Sequence, residues 1–221
     1  MLTQVYEVST ADEADAISSL GVDHVGVLVG DGTFPRELSA QGAAEVISAI
    51  RQPSKCVVLS LSADLALVER LLRILNPPIV HLGASPELVL PADVFALRKM
   101  FASTLFMRSI PVVNSRSVSI AKSYDGAVDF LLLDSHREGD AQIGALGVTH
   151  DWTISRSIVE SVRTPAILAG GLGPDNVVEA IIAVRPAGVD SKTKTDVGKT
   201  HAKDLTKVGA FDRAAKNALV S

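Results

Sequence analysis

The sequence predicts a single (β/α)8 barrel, a fold of the α/β class, and three observations carry that prediction. Short β-branched runs alternate with longer amphipathic runs eight times along the chain. The 221 residues match the short end of the size range of such barrels. No linker or low-complexity segment interrupts the series, so we expect residues 1–221 to form one domain. A doubly wound open sheet is the alternative, but no switch point divides the eight units.

Each repeat unit begins with a strand and continues with a helix. The apolar and β-branched runs predict strands at residues 2–8, 24–29, 55–61, 79–82, 105–113, 128–134, 164–169 and 187–190. The amphipathic runs predict helices at residues 11–20, 40–51, 64–75, 92–101, 117–124, 152–162, 175–184 and 204–218. Ser9 or Thr10 is suited to cap the first helix, because a hydroxyl can accept from an unpaired N–H of its first turn.

Composition excludes several classes of partner. A net charge of −4 and a pI near 5.7 give no general attraction for nucleic acid or an anionic membrane. The longest apolar runs, such as residues 56–61 and 130–133, are too short to span a bilayer. The first residues lack the basic and apolar stretches of a secretory signal, which predicts a cytoplasmic protein. The single cysteine, Cys56, excludes an internal disulfide, and the scattered histidines predict no metal site.

The most informative segment is residues 168–177, Leu-Ala-Gly-Gly-Leu-Gly-Pro-Asp-Asn-Val. Gly170 and Gly171 allow backbone N–H groups to approach an anion, and the following Pro-Asp-Asn opens a helix with a positive N-terminus. The segment therefore predicts a phosphate-binding turn. In a barrel the chemistry lies where strands end, and those ends carry Tyr6, Asp134, the two glycines and Asp190.

Several motifs in order resemble the phosphoribosylanthranilate isomerase family. They are the glycine segment, residues 131–135 (Leu-Leu-Leu-Asp-Ser), the glycine-rich residues 144–152 ending in Asp-Trp, and the Pro35-Arg36 loop. The resemblance covers nearly the whole chain. It implies an Amadori rearrangement of a small phosphorylated sugar amine in tryptophan biosynthesis, without a cofactor.

The resemblance also implies catalytic roles. The family's general acid corresponds to Asp134. In the family the general base is a Cys in the strand-one segment Lys-Ile-Cys-Gly-Ile-Thr. That segment falls on residues 4–9, so the Cys position is Tyr6 and the Lys position is Gln4. At neutral pH only roughly one unperturbed tyrosine in a thousand is ionised. His136, two residues beyond Asp134, is therefore interpreted as a possible replacement base. Strand alternation predicts that Glu7 points away, toward the helices.

Substrate binding is assigned in the same way. Arg36 corresponds to the arginine that lies near the anthranilate carboxylate in the family, and two lysines replace small residues in the loop after strand eight. Arg108 in strand five is a secondary candidate, because a buried charge is costly unless paired or exposed at the mouth. The predicted substrate-binding residues are Arg36, Arg108, Gly170, Gly171, Asp190, Ser191 and Lys192.

Three functions are compatible with these residues: the isomerase itself with a rebuilt base, a diverged relative that acts on another phosphorylated substrate through Asp134, and a non-catalytic phosphometabolite binder. The expected partner is a small phosphorylated substrate, with no nucleic acid and no membrane. Monomer and homodimer both stay open. The long loop 135–149 contains three glycines and is interpreted as a lid over the mouth. Cys56 is interpreted as a small buried hydrophobe.

Overall fold

Eight parallel strands pair in chain order, and the last pairs with the first, so the sheet closes into a barrel. The structure is a computed structural model, and it describes residues 1–135, 149–198 and 200–218. The predicted single (β/α)8 barrel is confirmed. In the part described, none of the helices has the length and apolar character needed to cross a membrane.

The strands are β1 (Leu2–Val5), β2 (His24–Leu28), β3 (Lys55–Ser60), β4 (Ile79–Leu82), β5 (Leu105–Val112), β6 (Phe130–Ser135), β7 (Ala166–Leu168) and β8 (Gly188–Ser191). The helices are α1 (Ala11–Ser19), α2 (Ala40–Ser48), α3 (Leu65–Leu75), α4 (Pro91–Met100), α5 (Arg116–Ser123), α6 (Trp152–Ser161), α7 (Val177–Val184) and α8 (Leu205–Asn217). A short 3-10 turn, Thr193–Thr195, follows β8. Thr10, one of the two predicted caps, accepts a hydrogen bond from the Glu13 N–H at the start of α1.

Side-chain alternation divides the core into two layers. Inside the barrel, apolar side chains from different strands pack together, among them Val57, Ile79, Met107, Leu132 and Ile167. Their sequence neighbours point outward and pack beneath the helices. Which layer a strand residue belongs to therefore decides whether it can reach the barrel mouth.

The difference from the predicted bounds that bears on the site lies in the first strand. It was expected to run through residue 8, but β1 ends at Val5. Glu7 has a φ of 58°, in the left-handed region, and this turns its backbone out of the strand ladder. The end of the first strand is also where the resemblance places the family's base.

Candidate active site

Tyr6 fills the barrel where β1 ends. Its ring is buried against Gly26 of β2: a Cβ built on that glycine would lie 2.1 Å from the tyrosine Cδ1. The phenol oxygen lies 2.7 Å from His81 Nδ1, and His81 Nε2 lies 2.7 Å from Ser109 Oγ. Tyr6, His81 and Ser109 thus form one buried hydrogen-bonded chain across three strands.

In this row of hydrogen-bonded side chains, Tyr6 is a neutral phenol. Burial raises the pKa of Tyr6 well above its usual value, and the nearby Asp190 adds to the effect. Burial also lowers the pKa of His81 to about 3, so the imidazole is neutral at physiological pH. Because neither group is readily ionised, the tyrosine supports the packing of the interior better than it supports proton abstraction.

Asp134 lies at the end of β6, partly covered at the barrel mouth. One carboxylate oxygen accepts from the Ser135 backbone N–H at 2.7 Å. Burial raises the pKa of Asp134 to about 7. A carboxyl group that holds its proton near neutral pH is suited to act as a general acid.

Asp190 projects into the barrel from β8, beside β1. The Gln4 side-chain amide donates to its Oδ1 at 3.2 Å, and the Gln4 carbonyl oxygen lies 3.1 Å from His24 Nδ1. Burial raises the pKa of Asp190 well above the usual value, and the neighbouring charge of Asp134 raises it further. The two carboxyl groups line the same cavity of about 40 Å³ with Tyr6 and His81.

Glu7 does not point toward the helices, so that prediction is wrong. The left-handed backbone breaks the alternation and directs the carboxylate to the mouth, where Arg36 binds it through two nitrogens at 2.7 and 3.1 Å. Lys192 Nζ lies 3.2 Å from the same carboxylate. The Arg36 hydrogen bonds and the Lys192 charge outweigh burial and lower the pKa of Glu7.

Glu7 stands at a boundary between two spaces. It lines the inner cavity with Asp134 and Asp190, and it also lines an outer cavity of about 480 Å³ beside Arg36 and Leu38. The predicted substrate residue Arg36 therefore faces a cavity large enough for a small ligand, with its guanidinium already engaged by a carboxylate.

The glycine turn lies next to the candidate acid. Gly170 and Gly171 have φ values of +87° and +64°, which favour glycine, and a Cβ on Gly170 would lie 3.3 Å from Asp134 Oδ1. Asn176 fastens the turn by accepting from the Gly173 N–H at 2.8 Å and donating to the Gly171 carbonyl at 3.1 Å. The two glycines, Lys192, Asp134 and Asp190 line a second small cavity. This brings the predicted phosphate turn and the predicted acid together.

Two residues predicted to bind substrate, Ser191 and Arg108, do not direct their polar groups into the cavities at the mouth. Ser191 Oγ donates to the Leu172 carbonyl at 2.7 Å, so it ties β8 to the glycine turn. Arg108 is the clearer correction: it is fully buried and points outward from β5, because its neighbours Met107 and Ser109 occupy the inward positions. Its guanidinium lies 5.2 Å from the Tyr124 ring. Arg108 therefore lies beneath the helices, away from the mouth.

The predicted base His136 and most of the predicted lid lie outside the described residues, which omit 136–148. Cys56 packs in the outward layer beneath the helices, and burial raises the pKa of its thiol to about 12. It therefore behaves as the buried hydrophobe that the sequence indicated.

Sequence reasoning missed four polar residues around the site: Gln4, Glu7, His81 and His150. Inward parity in β1 and β4 could have identified Gln4 and His81. In the strand-one segment that the family resemblance matches to residues 4–9, a glycine falls on the Glu7 position, and a glycine there is a signal of a left-handed backbone. No sequence signal identifies His150. In the structure its ring lies against the glycine turn, because a Cβ built on Gly170 would lie 2.8 Å from its Nδ1.

Together, the closed barrel, the strand-end carboxyl groups and the glycine turn place the protein in the class of (β/α)8-barrel enzymes. The profile of the family described as N-(5'-phosphoribosyl)anthranilate (PRA) isomerase matches residues 4–213. Among curated proteins, N-(5'-phosphoribosyl)anthranilate isomerase of Methanocella arvoryzae is 33% identical over 203 residues, covering 92% of both chains. The protein of that name from Haloferax volcanii is 32% identical over 220 residues, covering 98% of this chain and 95% of its own.

Solved structures agree on the fold. The N-(5'-phosphoribosyl)anthranilate isomerase from Pyrococcus furiosus aligns with a TM-score of 0.80 at 23% identity, covering 98% of this chain and 99% of its own. A phosphoribosyl anthranilate isomerase in complex with reduced 1-(o-carboxyphenylamino)-1-deoxyribulose 5-phosphate aligns with a TM-score of 0.77 at 21% identity, covering 98% of this chain and all of its own. The chain belongs to the PRA isomerase family, and it is a PRA isomerase-like barrel enzyme.

Proposed function

We propose that this chain catalyses the cofactor-free isomerisation of N-(5'-phosphoribosyl)anthranilate in tryptophan biosynthesis, with Asp134 as general acid. The observation that carries the proposal is the position of Asp134. Its carboxyl group has a pKa of about 7 and lies beside the Gly170–Gly171 turn. A sugar phosphate held at that turn would have its ring close to a proton donor.

The chemistry follows from that placement. Asp134 protonates the ring oxygen, the bond from C1 to that oxygen breaks, and the nitrogen lone pair forms an iminium at C1. Loss of the C2 proton then gives an enolamine, whose tautomerisation places the carbonyl at C2. Gly170, Gly171 and Lys192 would hold the phosphate, and the outer cavity beside Arg36 offers room for the aromatic group. A cytoplasmic location stays a prediction.

The Glu7–Arg36 ion pair favours a second candidate function. A carboxylate in the substrate would compete with Glu7 for the same guanidinium, because Arg36 already makes two hydrogen bonds to Glu7. If this chain instead acts on a phosphorylated substrate that lacks the carboxylate, no such competition for Arg36 arises. The two candidates share Asp134 and the glycine turn and differ only in the group bound outside them.

Turnover of phosphoribosylanthranilate by the purified protein tests the proposal. We expect measurable isomerisation, and we expect Asp134→Asn to lower kcat/KM by about 10²- to 10⁴-fold, the usual contribution of a positioned acid. Asp12→Asn, on the exposed face of α1, is the matched control and should match wild type. Growth of a tryptophan auxotroph lacking the isomerase provides a second readout. No turnover by wild type, combined with protection from unfolding by inorganic phosphate, would instead favour the second candidate or a binder.

A further inference from the structure

The C2 proton in the proposed reaction needs an acceptor at the barrel mouth. Tyr6, at the family's Cys position, is a neutral phenol held by His81 at 2.7 Å. The inner cavity is lined by three carboxyl groups, those of Glu7, Asp134 and Asp190. If Asp134 supplies the proton to the ring oxygen, Glu7 and Asp190 are left as possible acceptors.

The groups that contact Glu7 and Asp190 make them bases of different strength. The carboxylate of Glu7 lies within 3.2 Å of both Arg36 and Lys192, and two cations make a carboxylate a weak base. The carboxyl group of Asp190 receives a hydrogen bond from the neutral amide of Gln4. Asp190 is 5% exposed, and among the described residues no cation forms a salt bridge with it; Lys192 lines the same cavity, and the charge of Lys203 acts from a greater distance. Ionised Asp190 is therefore a stronger base than Glu7.

Gln4 lies in the strand-one segment, residues 4–9, at the position where the resemblance places a lysine, and it is the residue that contacts Asp190. Gln4 and Asp190 are register partners of β1 and β8, and His24 on β2 contacts the other end of the amide at 3.1 Å. An amide orients a carboxylate without adding charge. A lysine at position 4 would put an ammonium group beside Asp190 and weaken it as a base.

We propose that Asp190 is the general base of this enzyme and that Gln4, held by His24, is its positioning residue. This assignment rests on the proposed function. Asp190 accepts the C2 proton, the C2–H electron pair becomes the C1=C2 bond, and the C1=N pair returns to nitrogen. In the tautomerisation, Asp190 delivers that proton to C1 and Asp134 recovers one from the C2 hydroxyl, so both groups are restored.

The proposed reaction requires Asp134 to hold a proton while Asp190 is ionised. The two carboxyl groups line the same small cavity at the glycine turn and titrate as a coupled pair, because the charge of Asp134 raises the pKa of Asp190. Protonation of Asp134 therefore favours ionisation of Asp190, and the charge of Lys203 favours it further.

The pH dependence of kcat/KM tests the assignment, with phosphoribosylanthranilate as substrate. We expect a rising limb from ionisation of the base and a falling limb from loss of the acid's proton, each with an apparent pKa of the coupled pair. Asp190→Asn should lower kcat by at least about 10²-fold with a small change in KM, and its residual activity should lose the rising limb. Asp190→Glu should recover part of the activity.

Gln4→Lys tests the positioning role separately. The added cation should move the rising limb to lower pH and lower kcat, which a purely structural role of Gln4 would not do. If Asp190→Asn does not fold, the Gln4→Lys variant decides the matter. A rising limb moved to lower pH supports the assignment, and an unmoved limb overturns it.

The failures are distinguishable. Wild-type protein without turnover overturns the proposed function and this assignment with it. Active wild type whose Asp190→Asn variant keeps activity within about threefold overturns the assignment alone. The same conclusion follows if Glu7→Gln or His150→Ala, and not Asp190→Asn, removes the rising limb. Asp12→Asn again serves as the control.

Discussion

At the scale of single residues, Tyr6 and Gly26 form a matched pair. The tyrosine ring occupies the space that any β-carbon at position 26 would need, with 2.1 Å between the two positions. A large residue at the end of β1 is thus accommodated by the smallest residue on β2. Tyr6 and Gly26 therefore form one packed unit across the two neighbouring strands.

Gly26→Ala should therefore destabilise the protein through overpacking, by about 1–3 kcal/mol. In a Tyr6→Ala background the same substitution should cost less than about 0.5 kcal/mol, because the ring is gone. Urea unfolding of the four proteins measures the coupling. Gly42→Ala on α2 is the control, since its β-carbon would meet only Ser39 Oγ at 3.6 Å. Equal costs of Gly26→Ala in both backgrounds would refute the pairing.

Residue parity explains which site residues could be predicted. Period-two alternation correctly places Tyr6, Asp134 and Asp190 inside the barrel, at strand ends. The same rule fails for Glu7, because one left-handed residue turns the chain off the strand. It also excludes Arg108, which alternates outward between two inward residues. Partners such as Arg36 and Glu7 lie on separate loops, so no local pattern joins them.

At the scale of elements, the segment after β8 is organised by a buried ion pair. Lys203 Nζ lies 2.5 Å from Asp196 Oδ1, and both side chains are almost completely buried. Lys192 lies 3.5 Å from the same aspartate and 3.2 Å from Glu7. The lysine predicted for phosphate binding is thereby fixed between two loops, which limits its freedom before any ligand arrives.

Removing one member of the buried pair should be costly. We expect Asp196→Asn to lower the free energy of unfolding by about 3–5 kcal/mol, because Lys203 would keep an uncompensated buried charge. The double variant Asp196→Asn with Lys203→Met should recover much of that loss. Chemical denaturation measures both. Glu69→Gln, which breaks the exposed Glu69–Arg73 pair, is the control and should cost at most about 0.5 kcal/mol. A loss of that small size for Asp196→Asn would show that the buried pair contributes little.

At the scale of the whole molecule, the eightfold alternation was sufficient to predict a closed barrel. Sequential right-handed βα units leave few other arrangements for strands that are apolar on both faces. The burial and protonation of the side chains at the barrel mouth could not be predicted from this alternation. The partial burial of Asp134 and the full burial of Asp190 and His81 depend on side chains from several strands that meet only after the barrel closes.

That closure couples the stability of the whole chain to pH. Asp134 has a folded-state pKa of about 7 against an ordinary value of 3.8, so the unfolded chain releases this proton at lower pH than the folded one. Stability from this group is fully present below about pH 4 and is lost as pH rises to about 7. Three histidines, the buried His24 and His81 and the half-buried His150, act in the opposite direction, because their lowered pKa values favour folding as pH rises toward 6.5.

The difference between wild type and Asp134→Asn cancels the histidine contributions, which are common to both, and reports Asp134 together with Asp190, whose pKa depends on the Asp134 charge. Between pH 4 and 7 the unfolding free energy of wild type should fall relative to the variant, by as much as ~4 kcal/mol at 1.36 kcal/mol for each unit of pKa difference. Urea denaturation at half-unit pH intervals measures it, with Asp12→Asn as a control that follows wild type. A difference that stays flat from pH 4 to 7 would mean that Asp134 ionises as an ordinary aspartate, and the assignment of the general acid would lose its physical basis.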